Sequence, residues 1–282
     1  MSYTRRQALI LGAALALGIP KAHCHTPLPS QVSLSLRHAV GDPRAVAWVQ
    51  DLQSLRLYSS QDGAALTVAR SPGSLIKLLT AGVAVQQRVI TPTETLFCPG
   101  WRDFGNGIRR PCWDPRGHGD VNVISAIAHS CNVFFYQVGE RLGSLLLRQA
   151  LAEADLVTLS AGQAPLLATG EDPHCRVTPL ALLHWLRGLI APPFTPERLL
   201  IREGMIQAVT QGTCQGLHHP GGVAAKTGTI LHQGQYQGWV AAYTPIQYPR
   251  WLILVYVPTG RAYQVGIPVA QRVLTWTQGS EG

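Results

Sequence analysis

Residues 222–260 read GVAAKTGTILHQGQYQGWVAAYTPIQYPRWLILVYVPTG. Three runs rich in Val, Thr, Tyr, Trp and Ile are separated by turn signals, the first of them at Gln233 to Gln235. β-Branched and aromatic residues bounded by Gly, Gln and Pro predict a three-stranded antiparallel meander. The last strand runs into AYQVGIPVAQRVLTWTQ (262–278), which predicts a C-terminal helix covering one sheet face. Near the other end, AVAWVQDLQSLRLYSS (45–60) reads as a hairpin with a tight turn at Leu52-Gln53-Ser54. The fold class that follows is α/β in the α+β sense: a five-stranded antiparallel sheet from both chain ends, flanked by helices. A mostly helical lobe is inserted between the two ends, roughly from residue 65 to 215.

Within that lobe, SLIKLLTAGVAVQQR (74–88) follows Pro72-Gly73 and is helical in pattern, closed by polar Gln86, Gln87 and Arg88. Ser74 starts the predicted helix, where unpaired backbone N–H groups and the positive dipole end favour developing negative charge. Lys77 falls one turn later on the same face, so a hydroxyl nucleophile and an amine base share one helical turn. Further on, VNVISAIAHSCNVFFYQVGERLG (121–143) predicts two helices separated near Ser130-Cys131-Asn132. A hydroxyl and an amide at such a junction are able to relay a proton and hold a carbonyl. Cys131 reads as a small buried filler.

Composition makes the lysines informative. The chain has twenty arginines and three lysines: Lys21, Lys77 and Lys226. Arginine does not deprotonate in a protein, whereas a buried lysine amine is able to carry a proton near neutral pH. Lys77 follows Ser74 by three residues, and Lys226 opens Lys226-Thr227-Gly228-Thr229, so both retained lysines point to chemistry.

With 282 residues, 46% apolar, the chain is long enough to bury a core without staples. We expect an export leader over residues 1–24 and one catalytic domain over 25–282. Arg5 and Arg6 precede an apolar run from Ala8 to Ile19, the layout of a secretory signal, and paired arginines also fit twin-arginine export. The protein is therefore expected outside the cytoplasm, in the periplasm or another extracytoplasmic space, cleaved or held by its leader. A net charge of +8 suits weak association with an anionic wall polymer or membrane surface. Dispersed arginines without an aromatic-interleaved basic patch argue against a nucleic-acid partner. Among six cysteines, Cys98 and Cys112 flank the Gly- and Arg-rich loop FCPGWRDFGNGIRRPCW (97–113), where a disulfide is expected. His23-Cys24-His25 reads as leader or linker. No cysteine spacing suggests a metal-ligand set, and no metal or cofactor is expected.

The ordered set S-x-x-K, S-x-N and K-T-G resembles that of penicillin-binding proteins and serine β-lactamases. The likeness extends beyond the three motifs. PGSLIK (72–77), GHGDVN (117–122) with SCNVFFYQVGERLG (130–143), CRVTPLALLHWL (175–186) and GMIQAVTQGT (204–213) are similar to segments of penicillin-binding transpeptidases. Together they cover about Arg44 to Thr277. The resemblance implies that Ser74 attacks the carbonyl of a D-Ala-D-Ala bond in a peptidoglycan stem peptide, or of a β-lactam, while Lys77 takes the hydroxyl proton. It further implies that Ser130 passes a proton to the leaving nitrogen and Asn132 binds the substrate side chain. Lys226 and Thr227 would hold the substrate carboxylate, Gly228 would let the strand approach, and the N–H groups of Ser74 and Thr229 would form an oxyanion hole.

Two departures from the family pattern stand out. Family transpeptidases usually carry a pedestal or glycosyltransferase domain and a spanning anchor, of which this sequence shows neither, so a central place in a wall-synthesis complex is not expected. Glu171, in LLATGEDPHCRVTP (166–179), stands where the family often has Gly-x-Gly.

The sequence thus predicts a serine acyltransferase acting on D-Ala-D-Ala ends, as a transpeptidase or a D,D-carboxypeptidase. The alternative enzyme is a β-lactamase, against which stands the lack of a Glu-x-x-Leu-Asn segment and of a valine at position 132. The alternative of another class is a non-enzymatic β-lactam sensor or wall-binding module. Turnover of a D-Ala-D-Ala peptide separates enzyme from sensor.

Overall fold

The computed structural model describes residues 31–156 and 162–279; the expected leader, with His23-Cys24-His25, lies outside them. The helices are α1 (Gln31–Val40), α2 (Ile76–Gln86), α3 (Val123–Ala128), α4 (Asn132–Glu153), α5 (Ala164–Thr169), α6 (Pro179–Ile190), α7 (Pro196–Gln211) and α8 (Ile267–Gly279). The strands are β1 (Val46–Asp51), β2 (Leu57–Ser59), β3 (Leu96–Cys98), β4 (Trp101–Asp103), β5 (Arg109–Pro111), β6 (Gly119–Val121), β7 (Ala224–His232), β8 (Gln235–Thr244) and β9 (Trp251–Val257).

Five strands form one antiparallel sheet in the order β2-β1-β9-β8-β7, so the predicted architecture from both chain ends is the one observed. β9, WLILVYV, is buried at every position because the sheet is covered on both faces. Its alternate side chains part accordingly. Leu252, Leu254 and Tyr256 join Trp48, Trp239 and Ala241 in the core shared with the helical lobe. Trp251, Ile253, Val255 and Val257 join Val49, Val240 and Ala242 beneath Leu36 and Val40 of α1 and Val273 and Leu274 of α8. A one-residue register slip would exchange the two sets, so the packing fixes the register. Truncating a residue such as Ile253 to alanine would cost about 2–5 kcal/mol.

Three local predictions differ in detail. The first hairpin closes further out than Leu52-Gln53-Ser54: Asp51 N donates to Arg56 O at 2.9 Å. The Asp51 carboxylate organises this wider turn by accepting the N–H groups of Gln53 and Ser54. Ser74 lies not at the first residue of an α-helix but within a 3₁₀ turn, Gly73–Leu75, that leads into α2. The lobe also holds two small sheets, β3 with β6 and β4 with β5, built from three-residue strands too short to carry a periodic signal. Among the described residues no helix is long and apolar enough to cross a membrane.

Candidate active site

The site lies where the helical lobe meets strand β7, which has a neighbour on one side only and so presents an unpaired edge. The 3₁₀ turn bearing half-buried Ser74 packs against that edge. A Cβ at Gly228 would lie 2.8 Å from Pro72 O, so only glycine allows the approach. A Cβ at Gly73 would meet Thr229 N at 3.3 Å, which sets the backbones of the Ser74 turn and Thr229 side by side. Thr229 is fixed there because its Oγ1 accepts from Ala262 N at 3.1 Å.

Behind Ser74, two buried amines converge on one hydroxyl. Lys226 Nζ donates to Ser130 Oγ at 2.7 Å and to Thr227 O at 2.9 Å. Lys77 Nζ donates to Ser130 O at 2.7 Å, Ser130 Oγ at 3.4 Å and Asn132 Oδ1 at 2.5 Å. Both lysines are fully buried. Burial pulls Lys77 below its ordinary value, with the Glu171 charge the largest opposing influence. Lys226 is pulled down to about 7 by burial and then by repulsion from Lys77. An amine in this state is able to give up or accept a proton near neutral pH. Ser130 occupies the short junction between α3 and α4 with φ of +53°, a costly conformation for a non-glycine residue that its bonds to two lysines help hold.

The structure therefore brings together Ser74, Lys77, Ser130, Asn132, Lys226, Thr227, Gly228 and Thr229. It adds three residues that no motif marked. Thr213 accepts from Thr227 Oγ1 at 2.7 Å. Glu171 accepts from Asn132 Nδ2 at 3.0 Å through Oε1 and from Tyr136 OH at 2.7 Å through Oε2. Thr213 sits within a segment already similar to the family. Tyr136 likewise sits within the similar segment 130–143, and Glu171 showed only as a departure from the family pattern.

The expected bridge between Cys98 and Cys112 is not formed: both are free thiols, as is Cys131. The two sulfurs instead face His118 Nδ1, at 3.6 and 3.5 Å. The ligand atoms of Cys98, Cys112, His118 and Cys131 all lie within 4.8 Å of one another. The expectation of no metal-ligand set thus needs correction, because folding brings into one cluster residues whose spacing disguised them. Three thiols and an imidazole are the donor set of a closed zinc site, and a metal there would be structural, tying the Cys98–Cys112 loop to the junction holding Ser130 and Asn132. The Cys98 and Cys112 thiols are already pulled down, first by the Cys131 thiol and then, against burial, by His118, which suits them to bind as thiolates. Cys131 is therefore more than filler; its sulfur also accepts from Phe134 N at the start of α4.

Residues 49–172 match the family model of the penicillin-binding protein transpeptidase domain. The chain is 38% identical over 76 residues to the peptidoglycan D,D-transpeptidase MrdA of Haemophilus influenzae, covering 27% of this chain and 12% of that protein. It is 40% identical over 73 residues to MrdA of Escherichia coli K12, covering 26% and 12%. The match thus spans about an eighth of each relative's length. Among solved structures, the D,D-transpeptidase domain of a peptidoglycan glycosyltransferase from Eggerthella lenta superposes with a TM-score of 0.76 at 18% identity, over 96% of this chain and 87% of that one. Pseudomonas aeruginosa PBP2 in complex with WCK 5153 gives 0.74 at 18%, over 89% and 74%. These likenesses show the fold.

Proposed function

We propose that the chain is a serine acyltransferase of peptidoglycan stem peptides, acylated by penicillin at Ser74, a reading supported by the match of residues 49–172 to the penicillin-binding protein transpeptidase domain and by the shared fold. The observation that carries the reading is the convergence of Lys77 and Lys226 on Ser130 Oγ beside the Ser74 turn.

Neutral Lys77 takes the Ser74 proton as Oγ attacks the penultimate D-Ala carbonyl carbon. The oxyanion that forms is met by the N–H groups of Ser74 and Thr229. The tetrahedral intermediate collapses as Ser130 passes its proton to the nitrogen of the departing D-Ala and receives in turn the proton held by Lys77, to which it is hydrogen-bonded, leaving an ester on Ser74. Lys226 and Thr227 hold the terminal carboxylate, and Asn132 holds the peptide. An amine from a second stem peptide, or water, then releases the acyl group and restores the Ser74 hydroxyl. The substrate lies in the wall, so the protein works outside the cytoplasm, in keeping with the leader expected at its N-terminus, and its net charge favours anionic wall or membrane surfaces.

The test is turnover of a peptide ending in D-Ala-D-Ala, with and without an amine acceptor. Release of D-Ala supports the enzyme, and a cross-linked product identifies a transpeptidase. A protein that is acylated by penicillin but releases no D-Ala under either condition would be a sensor.

A further inference from the structure

Glu171 lies outside the three motifs, yet it is bonded into their centre. The turn that carries it is pinned to the nucleophile's own turn. Gly170 ends α5 with φ of +75°, and a Cβ there would fall 2.0 Å from Gly73 O, so no side chain fits. Ser71 Oγ donates to Gly170 O at 3.4 Å, and Glu171 N donates to Leu166 O at 3.0 Å. The carboxylate is then cradled by two residues one helical turn apart on α4, Asn132 and Tyr136.

The consequence lies in the Asn132 amide. Its oxygen faces Lys77 Nζ and its nitrogen faces Glu171 Oε1. When Lys77 is charged, its ammonium offers hydrogens alone, and that suffices to hold the oxygen toward it. When Lys77 is neutral, as a base must be, its nitrogen has a lone pair. A flipped Asn132 would then donate an N–H to that lone pair and block the base. Glu171 forbids the flip, because a carboxylate accepts only, and a flipped amide would set its oxygen against Oε1. The other Nδ2 hydrogen stays available to substrate.

We propose that Glu171 is a positioning residue for acylation: by fixing the Asn132 amide between itself and Lys77, it keeps the lone pair of neutral Lys77 free for the Ser74 proton. This rests on the reading of Ser74 as acyl acceptor and Lys77 as base.

The test uses Glu171→Gln, which keeps the shape and is able to pair with Asn132 in either orientation; the charge it also removes opposes the lowering of Lys77, so that loss alone leaves more of the amine neutral and would raise k2 rather than lower it. Stopped-flow acylation by a chromogenic β-lactam, with the adduct mapped by mass, separates the affinity KS from the acylation rate k2. In Glu171→Gln, k2 should fall about tenfold or more while KS stays within about twofold. In an Asn132→Ala background, the same change should cause no further loss of k2, because the amide it acts through is gone. A residue with only a structural role predicts unchanged k2 in the isosteric variant; k2 within about twofold of the parent, or an equal loss in both backgrounds, overturns the proposal. Failure of the parent protein to form a Ser74 adduct would overturn the underlying reading as well, which distinguishes the two. Unfolding temperatures of all variants show whether each is folded, and the Asn132→Ala pair decides the matter if the single variant is destabilised.

Discussion

Lys226 Nζ lies 2.7 Å from Ser130 Oγ, joining a strand residue to a hydroxyl 96 positions earlier in the chain. Lys77 Nζ donates to the same oxygen from the other side. With both acceptor positions of Ser130 occupied by amines, its own hydrogen is directed away from them, as a proton donor to a leaving group requires. The arrangement yields the predictions that follow.

Lys77→Arg keeps a positive charge and most of the side-chain length but cannot release its proton at working pH. Acylation of Ser74 should fall by at least about 10³-fold, because the base and the orientation of the serine are lost together. Near-parent labelling kinetics with a fluorescent penicillin would show that Lys77 is not the base.

Acylation efficiency should depend on pH through both lysines. Burial lowers Lys77, so the free amine is gained as pH rises and the rate rises with it. Lys226 titrates at about 7, so raising pH through that range removes the charge that attracts the substrate carboxylate, and efficiency falls. The result is a bell-shaped profile of k2/KS whose alkaline limb lies at or above about 7, because neutralising Lys77 removes the repulsion that helps lower Lys226. Lys226→Arg, which stays charged, should lose that limb. A folded Lys226→Arg protein with the limb unmoved would assign it to another group.

The cysteine cluster predicts metal content. Protein purified from the extracytoplasmic space without chelator should carry about one zinc per chain, and stripping it should lower the unfolding temperature. Elemental analysis and peptide mapping decide between this and the disulfide: absence of metal together with a joined Cys98 and Cys112 would restore the bridge.

The sheet was readable because its strands are runs of β-branched and aromatic residues, buried on both faces, and its turns carry Gly, Gln and Pro, and both signals are local. The motif residues were readable because Ser74 and Lys77 are three apart and Lys226 to Thr229 are contiguous. His118 was visible only as part of GHGDVN, since its partners Cys98, Cys112 and Cys131 reach it from β3, from the loop after β5 and from the start of α4. Glu171 showed only as a departure from the family's Gly-x-Gly; its meaning depends on a turn that Gly170 presses against Gly73, which is tertiary packing. The position of Ser74 in a 3₁₀ turn was missed for a similar reason, because contact with the β7 backbone, rather than helix propensity, shapes that turn.

The central claim is that Ser74 accepts the acyl group, and intact mass spectrometry of the protein mixed with penicillin tests it most directly. A β-lactam adduct keeps its leaving group tethered beside the ester, where it occupies the space through which water must approach. The expected result is therefore one penicilloyl adduct, mapped to Ser74, persisting for many minutes against an ordinary turnover of about 10 per second, and absent from folded Ser74→Ala. An adduct of equal yield on folded Ser74→Ala would contradict the account, and so would rapid return of the parent to its unmodified mass with many equivalents of penicillin hydrolysed, the behaviour of a β-lactamase.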